Sequence, residues 1–397
     1  MRIFYIPLVL ALLLIIAIDW LIYRKLKKSH RWKKGWRRAH VATALPLTAG
    51  MICLPFIPHG SASNQVLTFI MWFLFIFYSF VTIKFVAFAI YSLSWVKSLP
   101  EWGKKFVRFA AIATAAILAV IMFFAVAVTP YRYEVNRVTI EFENLPKAFD
   151  GYTIAQFSDS HLGTYGDDTT FVAKYTQAIN DLKPDMICFT GDLVNRRTEE
   201  AKPFVPQLKR LHAPDGVLAI LGNHDYDDYS DWDTEKLKLA DQQALRRLEE
   251  ECGWTLVDNR HLFIRHGSDS IAIIGTGNYG GSSKNNPTYG KLENSYPNLN
   301  DSCFKILLQH NPEVWSQIVV GKTNVDLTLA GHTHAMQIMF KMFGLRLSPA
   351  RLKFKHWGGL YNEGKQQLYV NIGMGMVGIP MRAGATPEIT LITLKRK

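Results

Sequence analysis

The sequence predicts an α/β domain preceded by a region of membrane-spanning helices, on three observations. Charge is divided unevenly: residues 1–130 hold 15 Lys and Arg against only Asp19 and Glu101, whereas the remaining 267 residues hold 30 basic and 31 acidic groups. Four long apolar stretches all fall before residue 130. From about residue 131 onward, short apolar runs alternate with helical patterns, which is how α/β domains read in sequence. The overall net charge of +12 therefore belongs to the N-terminal part. The rest has no basic surplus and gives no footprint for nucleic acid.

Taken in order, the apolar stretches cover residues 3–23, 41–57, 66–93 and 109–129. Each is long enough, or nearly so, to cross a bilayer as a helix. The second is short and contains Pro46 and Pro55, so the expectation is four spans with three as the fallback. The first stretch has only Arg2 before it and no small-residue cleavage site ahead of the basic run that follows, which favours an uncleaved anchor over a signal peptide. Residues 24–38 carry nine Lys and Arg, and the loop between the third and fourth stretches carries Lys97, Lys104, Lys105 and Arg108. Both loops should face the cytoplasm. Residues 59–64 hold no Lys or Arg and should face the other side, so the fourth span exits outward and the following domain is expected to be extracytoplasmic, on a multi-pass cell (inner) membrane protein. The basic loop with Trp32 and Trp36 suits anionic headgroups, but topology alone requires the same charges. Lys84 reads as a lone lysine inside the third span, snorkelling or touching a neighbouring helix.

The boundary between membrane region and domain is placed at 130/131. A connecting strand is predicted near residues 137–142, then helices at 170–182, 199–211 and 234–252, and further strands at 271–274, 304–308, 368–371 and 388–394. There is no internal repeat. Residues 275–301 are rich in Gly, Asn, Ser and Tyr, and a loop this long is usually functional or disordered. Because it precedes His310, it can hang over a cleft.

Four segments carry donors typical of metal sites: Asp159-Ser160-His161, Gly191-Asp192, Gly222-Asn223-His224-Asp225 and Gly331-His332-Thr333-His334, with His310 between the last two. Each of the four segments follows an apolar run, at residues 152–157, 185–189, 217–221 and 325–329. Such runs read as buried strands, so the donors would gather at the strands' carboxyl ends, the edge where open α/β sheets bind ligands. Carboxylate, amide oxygen and imidazole suit manganese, iron or zinc, and no thiolate pair competes.

These residues resemble the calcineurin-like metallophosphoesterase family, whose pattern is Asp-x-His, Gly-Asp, Gly-Asn-His-(Asp/Glu), His and Gly-His-x-His; the likeness covers roughly residues 150–394. It implies a two-sheet β-sandwich flanked by helices. It also implies two divalent metal ions, one held by Asp159, His161, Asp192 and His334 and the other by Asp192, Asn223, His310 and His332, with Asp192 bridging. His224 is similar to the family's catalytic histidine, beside the metals without binding them. Physical chemistry supports those roles: two cations roughly 3.5–4 Å apart clamp phosphoryl oxygens, and an imidazole with an unperturbed pKa near about 6.5 carries a proton to a leaving alkoxide. The segment Leu307-Leu308-Gln309-His310-Asn311-Pro312 resembles the family as well. So does the tail from Gly373-Met374-Gly375-Met376 through Pro387-Glu388-Ile389, which looks like a membrane-associated bacterial, phosphodiesterase-like branch.

The reading is a membrane-anchored, dinuclear metal-dependent phosphoesterase acting on a phosphodiester, phosphomonoester or pyrophosphate, with a lipid or headgroup favoured because a tethered site meets amphiphiles at high effective concentration. One alternative is a cytoplasm-facing UDP-diacylglucosamine pyrophosphohydrolase, which needs an odd number of spans or an inverted orientation. Another is a non-catalytic membrane sensor of a phosphorylated ligand. The partners implied are the lipid bilayer and a phosphorylated small molecule or lipid; no protein partner is expected. Arg382 reads as a phosphate contact or a structural ion pair. Arg346, Arg351, Lys353 and Lys355 read as a solvated charged face, or as contacts to a second phosphate or to headgroups. Of the four cysteines, only Cys252 and Cys303 are a plausible pair, and nothing requires the bond.

Overall fold

The computed structural model describes residues 5–28, 34–58, 60–280 and 287–397. The first residues of the initial apolar stretch, Trp32 and its neighbours in the basic loop, His59, and residues 281–286 of the long loop lie outside the described residues. The chain forms two compact units, Met1–Ala125 with Gly378–Pro380, and Val126–Val377 with Met381–Lys397.

In the first unit, α1 (Tyr5–Lys28), α2 (Lys34–Cys53), α3 (Asn64–Ser92) and α4 (Glu101–Ala127) are all helical. Among the described residues, three helices are long and apolar enough to cross a membrane, at Arg37–Phe56, Asn64–Trp95 and Glu101–Tyr131. Pro46 sits inside α2 without ending it, as membrane helices tolerate. Ile15, Met51, Ile70, Leu74 and Phe77 pack together, whereas Phe69, Phe109 and Ile112 stay exposed, as side chains facing lipid would be. Lys84 is not alone: its Nζ lies 2.9 Å from Asp19 Oδ1, and His40 Nε2 lies 3.1 Å from the Asp19 carbonyl. The pair joins α1 to α3, a tertiary contact across 65 residues that no local pattern announces. It neutralises two charges that hydrocarbon would otherwise penalise.

The second unit holds two six-stranded sheets and a small ribbon. In chain order the strands are β1 (Glu134–Phe142), β2 (Thr153–Phe157), β3 (Met186–Phe189), β4 (Val217–Ala219), β5 (Trp254–Leu256), β6 (Arg260–His266), β7 (Asp269–Gly275), β8 (Phe304–Leu308), β9 (Leu327–Ala330), β10 (Phe340–Met342), β11 (Leu345–Leu347), β12 (Gly359–Glu363), β13 (Gln366–Val370) and β14 (Glu388–Arg396). The first sheet runs β1-β14-β2-β3-β4-β5 and the second β12-β13-β9-β8-β7-β6, while β10 and β11 pair only with each other. Strands β2 to β5 are mutually parallel, and so are β7, β8, β9 and β13. Every residue of β3, β8 and β9 is buried, which explains why they read as continuous apolar runs rather than alternating ones.

Ile154, Met186, Leu218, Ile273, Ile306 and Leu329 belong to the core between the sheets. The helices α5 (Thr170–Asp181), α6 (Val205–Leu208) and α7 (Glu235–Glu251) add their apolar sides to a second cluster. In α5 the buried Phe171, Val172, Tyr175 and Ile179 form one stripe. The Thr234 side chain caps α7 by accepting from Leu237 N. The helix expected at 199–211 breaks up: Thr198–Phe204 is a 3-10 turn and only Val205–Leu208 is α-helical. Pro203 and Pro206 each remove a backbone donor there. All four cysteines are free, so Cys252 and Cys303 form no bond.

Candidate metal centre

Because β2, β3 and β4 run parallel, as do β8 and β9, the residues after them leave at matching edges. Asp159 follows β2, Asp192 follows β3, Asn223 and His224 follow β4, His310 follows β8, and His332 and His334 follow β9. Two glycines permit the close approach. Gly191 has φ +93°, and a Cβ there would collide with the Gly222 backbone; a Cβ on Gly331 would run into Ser158 and the Asp159 carboxylate.

The donors converge in three overlapping groups: Asp159, His161 and His334; His161, Asp192 and His224; and Asp192, His310 and His332. Within each group the candidate ligand atoms lie within 4.8 Å of one another. His161 Nε2 is 3.1 Å from His334 Nε2, and His334 Nε2 is 3.1 Å from Asp159 Oδ1. Asp192 Oδ2 is 3.5 Å from His161 Nε2 and 3.1 Å from His310 Nε2. His332 Nδ1 is 3.3 Å from His310 Nε2. His161 thus joins the first group to the second, and Asp192 joins the second to the third. Asn223 sits beside them through its neighbour, since His224 N donates to Asp192 Oδ1 at 2.8 Å. Its Nδ2 donates to Tyr229 Oη at 2.9 Å, while its Oδ1 is buried with no protein partner.

The arrangement suits cations. Asp159 and Asp192 are buried, and among the described residues neither has a Lys or Arg ion pair; their charged partners are histidines. A buried carboxylate needs a compensating charge or a metal. Although burial pushes both carboxyls up, His334 and His310 for Asp159, and His310 for Asp192, hold them below the usual carboxylate range. Burial pushes the imidazoles of His161 and His224 down and holds His332 at about 3, so they remain neutral, the form that ligates. His310 is the exception: against burial, Asp192 raises it to about 10.

Secondary contacts orient the rings. His310 Nδ1 faces the Thr190 carbonyl at 2.7 Å, and His224 Nδ1 faces the Asn195 carbonyl at 2.6 Å. Each contact fixes Nδ1–H as donor and leaves Nε2 facing the cleft. His224 also stacks on Tyr229, 4.1 Å between ring centres. Five of the donors, Asp159, His161, Asp192, His332 and His334, have left-handed backbone. Strain of this kind persists where surrounding contacts over-determine it, and here His332 N donates to both Asp159 oxygens.

Several further residues support the donors without being candidates for ligation. Asp225 accepts from the backbone N–H of Gly222, Asp192, Leu193 and Val194 and so ties the turn after β3 to the turn after β4. Burial, then Asp192, raise its pKa to about 7. Glu200 likewise accepts from Asn195 N and Arg196 N. Arg382 is fully buried and has no ion pair among the described residues. Its guanidinium donates to the carbonyls of Gly375, Ala385 and Ile372, and Nη2 lies 3.2 Å from His334 Nδ1. The described flanks of the long loop lie next to the centre, where Asn311, adjacent to His310, donates to the Tyr279 carbonyl.

The sequence model of calcineurin-like phosphoesterases matches residues 152–336. The uncharacterized metallophosphoesterase YkuE of Bacillus subtilis is 35% identical over 274 residues, 67% of this chain and 87% of that protein. A transmembrane protein with metallophosphoesterase domain from Danio rerio is 29% identical over 292 residues, 72% of this chain and 62% of that protein. An uncharacterized metallophosphoesterase of Helicobacter pylori is 27% identical over 396 residues, 97% of each chain.

Proposed function

Since the chain belongs to the calcineurin-like phosphoesterase family, we propose that it is a membrane-anchored phosphoric ester hydrolase whose cleft holds two divalent cations. Asp159, His161, Asp192 and His334 hold one, and Asp192, Asn223, His310 and His332 hold the other. The observation that carries this reading is the Asp192 carboxylate, within 3.5 Å of His161 on one side and 3.1 Å of His310 on the other. Bound there, manganese, iron or zinc supplies Lewis-acid polarisation of the phosphoryl group and lowers the pKa of water.

The chain's own residues do the rest. The Asn195 carbonyl holds the His224 Nδ1 proton and the Tyr229 ring holds the plane, so the Nε2 lone pair faces the cleft and, once it has taken up a proton, can pass that proton to the departing oxygen. His224 also lies within reach of His161 and Asp192; its Nδ1 bond and stacking favour the proton-transfer role over ligation. Counting α1 as a span gives four, with the basic loops inside and the hydrolase domain outside. The substrate favoured by that location is a phosphodiester or pyrophosphate of a membrane lipid.

The full chain, incubated with manganese and a chromogenic phosphodiester, should turn over and stop on chelation. Metal binding without turnover of any ester, with manganese, iron or zinc, would instead support the sensor reading. A reporter fused to the C terminus tests the orientation, because a cytoplasmic signal contradicts it. Lipid-extract hydrolysis read by mass spectrometry identifies the substrate.

A further inference from the structure

The β10–β11 ribbon belongs to neither sheet, and its register separates two chemistries. Phe340 pairs with Leu347 and Met342 with Leu345, placing four apolar side chains on one face; Lys341 pairs with Arg346 on the other. A strand alternates its sides, so the division is a property of the sequence. The apolar face has no partner among the described residues. Phe340, Met342 and Leu345 are each more than 60% exposed, and Phe343 at the tip is 94% exposed. Contiguous exposed apolar surface larger than roughly a few hundred Å² marks an interaction site.

The tip breaks a second rule. Phe343 and Gly344 form the two-residue turn, with φ +50° and +77°. Such turns favour Asn, Asp or Gly at the first position, and a bulky residue at positive φ is an outlier. An aromatic ring is kept where the backbone disfavours it and where the described residues leave it almost wholly uncovered. The base of the ribbon is firm by contrast: Met339, Phe354 and Trp357 are buried in one cluster.

Three observations identify what covers the face. Residues 336–357 contain five Lys and Arg and no Asp or Glu, which suits an anionic surface. The chain carries helices apolar enough to cross a membrane, so a bilayer is always near. Lys341 Nζ and Arg346 Nη2 both reach Glu134, only three residues beyond Tyr131, the end of the third candidate span. Three residues extend no more than about 11 Å, so the ribbon's polar face is tied to a point close to where the chain leaves the hydrocarbon.

We propose that β10–β11 is a membrane finger: Phe340, Met342, Phe343 and Leu345 insert into the adjacent leaflet, and the surrounding lysines and arginines bind its headgroups. Apolar tip and basic shoulders add hydrophobic and electrostatic attraction to one surface. The finger continues from the ligand-bearing turn, since Ser348 Oγ donates to the Ala335 carbonyl at 2.6 Å and Phe354 packs edge-on to His332. Insertion therefore ties the turn that carries His332 and His334 to the leaflet the finger enters. The insertion itself does not depend on hydrolysis.

The test is a depth measurement on the full chain in vesicles of phosphatidylcholine and phosphatidylglycerol. With Cys53 and Cys303 replaced by Ser, a nitroxide is attached through Phe343→Cys, through Leu345→Cys in a separate variant, and through Lys365→Cys as an exposed control. At 343 and 345 the label should lose collisions with a water-soluble nickel chelate and gain collisions with oxygen relative to 365. Nickel access equal to the control at both positions overturns the proposal. So does shielding from both reagents, which would mean the face docks on protein or on a second copy. Two labelled positions guard against one variant failing to fold, and thermal unfolding of each labelled chain checks that.

Discussion

The metal cleft and the β10–β11 ribbon both hold non-glycine residues in left-handed backbone, and they answer that strain in opposite ways. In the cleft, Asp159, His161, Asp192, His332 and His334 are buried or nearly so, and hydrogen bonds hold them: Asp192 N donates to Asp225 and His332 N donates to Asp159. At the ribbon, Phe343 has the same backbone sign and is almost wholly exposed. The lesson is that strain in this chain is compensated internally where a cation is to be held and externally where a surface is to be met. Substitutions in each region should therefore fail differently.

The largest effect is expected from Asp192→Asn. It keeps the volume of the side chain shared by two donor groups but removes the charge, and turnover should fall by roughly three orders of magnitude or more, the several kcal/mol that metal-centred charge stabilisation contributes. Metal content by mass spectrometry should fall below that of the parent chain. Unchanged turnover would place the chemistry elsewhere. Next comes Gly191→Ala, which sets a Cβ against the Gly222 backbone at φ +93° and should destabilise the folded chain by about 2–3 kcal/mol. A melting temperature equal to the parent's would show that the turns after β3 and β4 have slack.

Much of this was legible beforehand, and the reasons for success and failure are physical. Strands β2, β3, β8 and β9 were readable because they are buried and continuously apolar, and the donors after β3 and β9 because Gly191 and Gly331 mark the strand ends, whereas Asp159 and His310 follow no glycine and stood out only as part of the motif. The half-exposed β6 and the three-residue β10 and β11 carry too little pattern to stand out. The broken helix at 198–208 was misread as continuous because its charged and apolar spacing outweighed the signal of Pro203 and Pro206. Asp19 and Lys84, Asp225, and Arg382 gain their roles only from contacts between distant segments. Arg382 in particular reads from the sequence as a phosphate contact or a structural ion pair, yet it is buried beside His334, 48 residues away.

Arg382 gives a middle-sized test on the cleft side of the comparison. Its guanidinium holds the Gly375, Ile372 and Ala385 carbonyls and abuts His334 Nδ1, so Arg382→Met should weaken metal affinity by about 10–100-fold, as losing a residue behind a ligand does. Calorimetric metal titration reads this without any substrate. Affinity within the error of the parent would mean that His334 is held by its own left-handed turn alone.

The smallest effect, and the sharpest contrast, is Phe343→Asn. Asparagine tolerates the left-handed region that phenylalanine resists, so in detergent the full chain should be unharmed or more stable, by about 1 kcal/mol. A comparable exchange inside the cleft would destabilise. In vesicles the gain should shrink, because Asn at 343 gives up the lipid contact that the exposed ring makes. A lower melting temperature in detergent would reveal that Phe343 is supported by the chain itself, and the division between internal and external compensation would then not hold at the ribbon.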